Sequence, residues 1–483
     1  MNKILAGLKY RVLKDKSENQ VYTGIEYDSR KIKEGNIFVA LEGAVVDGHN
    51  FIEQAVKNGA TCILVSKEVE TKFSVEYILV EDLRKNLGIV ASNFYDYPQK
   101  NLKIIGITGT NGKTTTTYLL ESILGSENVS RIGTVEYKIG DEIIEAPNTT
   151  PESLDIVKMC KKSMEKGIKY MIMEVSSHAL ALGRVDMLEF DVAMFTNLTL
   201  DHLDFHKDME DYFQAKRKLF TMMKKGCENN CVINIDDLYG KRLSFDFGGI
   251  AYGMYNEGRA KGKILEFYGD GQEVEIKIDS FTSKMKLSIL GRYNMYNVLG
   301  AISVAVLLGI DMETIIEKIK GAKGAPGRYE LVNCGQDFGV IVDYCHTGDA
   351  LENILKSINE LKRGRVITVF GCGGDRDASK RPIMGGIAEN LSDLAIVTSD
   401  NPRTEDPQKI IDDILVGMKK DNHIVILDRD EAISKAIELA EKNDIILLAG
   451  KGHETYQILG RKKIHFDDRE IARREIIRKK QNK

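Results

Sequence analysis

GITGTNGKTTTTY, Gly106 to Tyr118, is the stretch that decides the fold of this chain. The apolar run Leu102–Ile107 leads into it and predicts a buried parallel strand, while Thr114–Leu124 predicts the first turns of a helix. Strand, glycine loop, Lys-Thr and helix is the order that cradles nucleotide phosphates. Gly109 and Gly112 would let backbone N–H groups turn inward onto oxygen. Lys113 would bring a point charge to the β- and γ-phosphates. The Thr114 hydroxyl can ligate Mg²⁺, and the helix start adds a favourable dipole. The loop departs from G-x-x-x-x-G-K-[ST], because Ile107 stands where the first glycine belongs.

The rest of the chain bounds what this loop serves. At 483 residues, and about 150 per domain, roughly three domains are expected. Hydrophobic content of 43% and charged content of 29% are those of a soluble globular protein. A net charge of −4 argues against a nucleic-acid partner. No apolar run approaches the roughly 20 residues that span a bilayer, and MNKILAGLKY lacks the core of a signal peptide. A cytoplasmic protein with no membrane partner is therefore expected, and a monomer is taken as the default without a signal in the sequence for it. The seven cysteines are odd in number and irregularly spaced, which favours free thiols. Cys227 and Cys231 lack the second ligand pair that zinc needs.

Three segments follow. Residues 1–101 carry strand-like runs at Asn36–Leu41, Thr61–Val65 and Glu76–Val80 and a helical pattern at Phe51–Asn58, which makes a small α/β domain. Residues 102–324 add strand-like runs at Tyr170–Val175, Asp191–Thr196 and Cys231–Ile235 with helices between. That alternation predicts a parallel, doubly wound sheet of P-loop type with helices on both faces and ligands beyond the carboxyl ends of its strands. Residues 325–483 follow the glycine-rich Gly321–Arg328 and alternate again, at Val340–Val342, Val366–Phe370, Leu394–Val397, Ile424–Leu427 and Ile445–Ala449, as a Rossmann-like α/β domain. GCGG, from Gly371, is not G-x-G-x-x-G.

Polar motifs gather at the strand ends. Glu174 could hold Mg²⁺, or be an ordinary capping carboxylate. His202 and His206, four apart, would share a helix face at a spacing that suits a metal. Taken alone, Lys216 reads as one of many surface lysines.

The form GTNGKT resembles the Mur ligase superfamily, whose members join an amino acid to a carboxylate at the expense of ATP. Over nearly the whole chain the motifs look like those of the UDP-N-acetylmuramoyl-tripeptide synthetases within it. The resemblance implies an ATP site of Gly109, Thr110, Asn111, Gly112, Lys113, Thr114, Thr115, Arg328, Asp343 and His346. It implies that Ser29 of Asp28-Ser29-Arg30 binds the UDP end of the substrate. Asn148, Thr149 and Thr150 of NTTP, with Ser176 and Arg184, would hold the nucleotide-sugar peptide. Thr114, Glu174, His202 and Lys216 would surround Mg²⁺, with Lys216 carbamylated by CO₂, and Lys113, Lys216 and His202 would serve catalysis. Arg376, Asp400, Asn401, Pro402, Arg403, Gly450 and Glu454 would receive the amino acid. Cys345 and Gly348 depart from the family's usual Ala or Ser and Pro in the ATP-facing loop.

Asp400-Asn-Pro-Arg403 carries the specificity. Relatives that add meso-diaminopimelate have arginine at its fourth position, and those that add L-lysine usually do not. A guanidinium pairs with the distal carboxylate of diaminopimelate and repels the amine of lysine. Lanthionine would satisfy the same contacts. The expected reaction is therefore transfer of a diamino acid to UDP-N-acetylmuramoyl-L-alanyl-D-glutamate through an acyl phosphate, in peptidoglycan precursor synthesis. Folylpolyglutamate synthase shares the loop but would lack the DSR, NTTP and DNPR set. A regulatory NTPase would need no amino-acid pocket.

Overall fold

The computed structural model describes residues 1–16, 20–43, 46–268 and 271–481. Three sheets follow one another along the chain, each with helices packed on it. The first has five strands in the spatial order Tyr10–Lys14, Glu76–Val80, Ala60–Val65, Asn36–Ala40 and Gly24–Glu26. The Tyr10–Lys14 edge is antiparallel and the rest are parallel. Its core does not end with its own residues. Leu154 and Val157, from the helix Ser153–Glu165, are packed into it beside Leu83, Leu87 and Val90.

The second sheet has eleven strands. At its centre Lys103–Thr108 lies between Tyr170–Glu174 and Val192–Phe195, all parallel. After Lys103–Thr108 the chain first adds strands on one side, Val129–Ile132 and Tyr170–Glu174, then crosses to Val192–Phe195 on the other. The carboxyl end of Lys103–Thr108 is therefore a switch point, where the diverging connections open a crevice. The sheet is parallel-rich rather than wholly parallel. Glu136–Ile139 and Glu142–Glu145 add an antiparallel margin at one edge, and Gly271–Ile278 and Phe281–Leu287 another. Those half-exposed strands alternate apolar and charged residues, so they lack the continuous apolar runs by which the buried strands are recognised in sequence. Helices Lys113–Leu124 and Arg292–Leu307 cover one face, and Ser153–Glu165 and Met209–Arg217 the other.

The third sheet has six strands, in the order Glu330–Leu331, Gly339–Asp343, Ile445–Ala449, Val366–Phe370, Leu394–Val397 and His423–Val425. All but the first are parallel. A hairpin, Tyr456–Leu459 with Lys462–His465, projects beside it. All seven cysteines are free. No helix among the described residues is long and apolar enough to cross a membrane.

Candidate active site

The loop after Lys103–Thr108 is shaped by two glycines. Gly109 has φ +144° and Gly112 φ +88°, and a Cβ on them would stand 1.9 Å from Thr196 Oγ1 and 2.3 Å from Asn297 Oδ1. The expectation that the loop's own N–H groups face a ligand is corrected in part. Thr110 N donates to Asn197 O (2.8 Å) and Asn111 N to Asn197 Oδ1 (2.9 Å), so Asn197 takes two of them. What faces outward is the start of the helix Lys113–Leu124, whose first N–H groups, those of Lys113, Thr114 and Thr115, have no partner within the helix. Lys113 Nζ curls back onto Gly109 O and Thr110 O, both at 2.8 Å.

Lys216 overturns its reading as a surface lysine. It is only 2% exposed, on the helix Met209–Arg217, and its Nζ donates to the same Gly109 carbonyl at 2.9 Å. Burial first, and the neighbouring Lys113 second, push its pKa well below that of an ordinary lysine. An amine so placed is nucleophilic, which the addition of CO₂ requires. Tyr212, whose ring lies 4.5 Å from Nζ, forms the wall.

Glu174 ends its strand 1% exposed. Its carboxylate accepts from Thr114 Oγ1 (3.0 Å), Thr134 N (2.9 Å) and Thr134 Oγ1 (3.0 Å). A buried carboxylate joined to the Lys-Thr hydroxyl is a set of hard oxygen donors that fits Mg²⁺. His202 and His206 do not share a helix face. They lie in turns before the helix that begins at Met209, and His202 adopts φ +55°. The His202 ring meets His178 edge-on at 5.0 Å, and His206 stacks on Tyr212 at 4.9 Å. Among the described residues no group of three or more His, Cys, Asp or Glu is arranged so that it could hold a metal ion, so a site here would need donors of other kinds, such as the Thr114 hydroxyl.

Thr150 ties the substrate motifs together. Its hydroxyl donates to Glu174 O (2.8 Å) and accepts from Ser176 N (3.0 Å), and its carbonyl accepts from Arg184 (3.1 Å). Thr149 and Thr134 hydroxyls meet at 3.1 Å. Asn148 lines a cavity of about 340 Å³ at the seam with the first sheet, together with Tyr27 and Lys31. Ser29 itself turns inward, donating to Gln54 Oε1 at 3.1 Å, and Asp28 is occupied with Arg30.

In the third sheet the motifs converge at the strand ends. Asp343 accepts from Tyr329 N (2.7 Å) and Cys345 N (2.8 Å), and burial raises its pKa. Arg328 lies over the Tyr344 ring at 4.7 Å, and His346 is exposed. Gly348 opens a helix behind the Thr347 cap, a first-turn position where the family's proline also fits. Gly327 (φ +63°) packs so tightly that a Cβ would lie 2.0 Å from Gly452 C, so the freely turning part of the glycine-rich connection precedes it. The Gly371–Arg376 and Asp400–Arg403 loops are clasped by Gly374 N to Asn401 O (2.9 Å) and by Arg403 to Gly374 O (2.7 Å). Arg403, at φ +52°, is half-buried, while Arg376 is exposed. Asn401 Nδ2 donates to Glu454 Oε2 at 2.8 Å, and a Cβ on Gly450 would meet Asp400 at 3.1 Å. Lys451, beneath these groups and passed over in the sequence, is fully buried. A cleft of about 750 Å³ separates the two halves, with Asn148 and Thr149 on one wall and Tyr344, His453 and Glu454 on the other. Thr199 donates across the join to Asp349 at 3.1 Å.

A glycine-Lys-Thr loop on one sheet and a cleft shared with a separate sheet stand on a three-part α/β frame, and the chain belongs to the Mur ligase family. Three family descriptions match it: the Mur ligase family catalytic domain at residues 21–95, the Mur ligase middle domain at 107–305, and the Mur ligase glutamate ligase domain at 327–452. It is 57% identical, over 99% of this chain and 98% of the relative, to the UDP-N-acetylmuramoyl-L-alanyl-D-glutamate--2,6-diaminopimelate ligase of Fusobacterium nucleatum. A solved structure of a ligase of that same name is 30% identical and superposes with a TM-score of 0.69 over 97% of this chain and 98% of its own. MurF ligase from Thermotoga maritima in complex with ADP shares the fold, at 18% identity and TM-score 0.67 over 95% of this chain and 97% of its own.

Proposed function

We propose that this chain is an ATP-dependent ligase that joins 2,6-diaminopimelate to UDP-N-acetylmuramoyl-L-alanyl-D-glutamate in peptidoglycan precursor synthesis. The observation that carries the reading is the pairing of Lys113 and Lys216 on one carbonyl beside the Thr114–Glu174 pair, with Thr134, which donates to Glu174, lining a cleft whose other wall carries Glu454. One half suits phosphoryl transfer and the other suits an amino acid. The domains are taken as 1–101, 102–324 and 325–483, holding UDP substrate, ATP and amino acid in turn.

The substrate carboxylate attacks the γ-phosphorus of ATP, and ADP leaves with the bridging oxygen. The amine of the diamino acid attacks the acyl carbon, one proton is lost from nitrogen, and inorganic phosphate departs. Lys113 and the helix N–H groups hold the phosphates in line, while the Asn148–Thr150 stretch with Arg184 positions the acyl donor. Thr114, Glu174, His202 and carbamylated Lys216 would hold Mg²⁺, which supplies charge neutralisation at the transferring phosphoryl group. Arg376 and Arg403 would take the distal carboxylate. For Arg403 this requires release from Gly374 O.

Phosphate release with the UDP dipeptide, ATP and a panel of diaminopimelate, lanthionine and L-lysine tests the assignment. Release is expected only with both cosubstrates, and strongest with diaminopimelate. Efficient turnover of L-lysine would overturn the specificity, and release without any amino acid would overturn the ligase reading.

A further inference from the structure

Lys451 has no role in the scheme above, yet it is buried among charged and polar partners. Its side chain is 0% exposed. Nζ donates to Asn401 Oδ1 at 3.2 Å and stands 3.4 Å from Glu454 Oε2 and 3.5 Å from Asp400 Oδ1. These partners are themselves fixed. Asn401 Oδ1 also accepts from Ile458 N (3.0 Å), its Nδ2 donates to Glu454, and Gln457 Nε2 holds the Asp400 carbonyl at 2.7 Å. The rings of Tyr456 and Phe466 close the sides at 5.8 and 5.9 Å. A buried ammonium persists only where anions offset its lost hydration, and two carboxylates around one cation leave a single negative charge over.

We propose that Lys451 is a positioning residue for the amino-acid substrate. It sits behind Asp400 and Glu454 as their shared counter-ion and holds both carboxylates toward the ammonium of the incoming diamino acid, which takes the opposite side of the pair. The proposal rests on the amino-acid assignment of this pocket. Remove the cation and two buried carboxylates are left together. Such a pair gives up one charge by sharing a proton, and the protonated partner no longer attracts an ammonium.

Charged and titratable groups reach Glu454 from every side. Lys451 is on its own loop, and Asp400 comes from the neighbouring loop. Buried Arg429 comes from the helix behind, Tyr344 from the loop after Gly339–Asp343, and Tyr456 from the hairpin. Arg429 is committed to Asp468 and to Ala449 O, which leaves Lys451 as the cation in direct contact. Burial already holds the Glu454 carboxyl above the usual carboxylate range, and Lys451 opposes that rise.

The test compares Lys451→Gln, which keeps a hydrogen-bond donor and loses the charge, with Lys451→Met and Lys451→Arg. Steady-state kinetics are measured for all three substrates between pH 6 and 9. In the neutral variants KM for diaminopimelate should rise about 10- to 100-fold at pH 7, one to two pKa units' worth of lost carboxylate. KM for ATP and for the UDP dipeptide should stay within about twofold, because the charge removed is aimed at neither. The acid limb of kcat/KM for diaminopimelate should move to higher pH, so the defect shrinks toward pH 9, and Lys451→Arg should recover part of it. A defect of the same size at every pH, or an equal loss for all three substrates, would overturn the proposal. So would failure of the neutral variants to fold by circular dichroism, which would make the lysine part of the architecture. A wild-type enzyme that releases no phosphate with any diamino acid would instead sink the functional assignment itself.

Discussion

Replacing Gly112 with alanine separates the shape of the phosphate loop from its charge. The residue has φ +88° and ψ −12°, a left-handed conformation that costs an L-residue about 1–2 kcal/mol. The new Cβ would sit 2.3 Å from Asn297 Oδ1, so that side chain must retreat by about 1 Å to reach ordinary contact. In doing so it gives up its bond to Asn294 (3.1 Å), worth about 1 kcal/mol. The sum, about 2–3 kcal/mol, is too small to unfold the central sheet and falls at the point where the helix N-terminus is proposed to meet phosphate. Displacement of reacting groups by about 1 Å costs up to ~100-fold in turnover. We expect kcat/KM for ATP to fall by about 30- to 100-fold, read by phosphate release, with Tm lower by roughly 4–10 °C. Gly226→Ala is the control. It imposes a like strain, at φ +87°, with no atom within 4 Å of the added Cβ. It should lower Tm and leave ATP kinetics alone. If Gly112→Ala kept kcat/KM within threefold of wild type, the helix start would not be the phosphate site.

Lys216→Ala should lose most ligation and regain part of it with small added carboxylates, whereas Lys216→Arg, which cannot form a carbamate, should not; a fully active alanine variant would end the case for a modified lysine. Arg429 and Asp468 are each 0% exposed and doubly bonded at 2.8 and 2.7 Å. Asp468→Asn should therefore cost about 3–5 kcal/mol in urea unfolding, while Arg429→Met with Asp468→Leu should recover most of it; equal losses in the single and double variants would contradict this. Burial holds His453 at a pKa of about 4, so it stays neutral in the native state while the unfolded chain protonates near 6.5. Its contribution is complete above pH 6.5 and declines as pH falls toward 4, by at most about 3 kcal/mol. His453→Gln should flatten the fall in urea midpoint between pH 7 and 5, and an unchanged slope would assign that fall to other groups.

The strands that sequence reveals most clearly are those buried on both faces. Val366–Phe370, Leu394–Val397 and Ile445–Ala449 coincide with their apolar runs. Strands with one wet face, such as Glu142–Glu145 and Ala260–Tyr268, carry too many charges to stand out from loops. The candidate site residues at strand ends stand out in the sequence because glycine, lysine and threonine gathered there have few structural uses. Lys216 and Lys451 were not readable from the residues alone, since nothing local to a lysine says whether tertiary packing will bury it. Asn197 and Asn297 were missed for a related reason. Each works by filling the space a glycine leaves, and that partnership spans roughly 85 to 185 residues of chain.

The helix Ser153–Glu165 gives Leu154 and Val157 to the core of the first sheet, and Ile156, Met159 and Cys160 to that of the second. One rod is thus an inseparable part of two hydrophobic interiors, and the first sheet cannot swing against the second without opening both to water. A nucleotide-sugar lodged at that seam would rest on an anvil. Any travel that brings amine to acyl carbon would then fall to the third sheet, pivoting on the glycines ahead of Gly327 and carrying the amino acid to a donor that stays still.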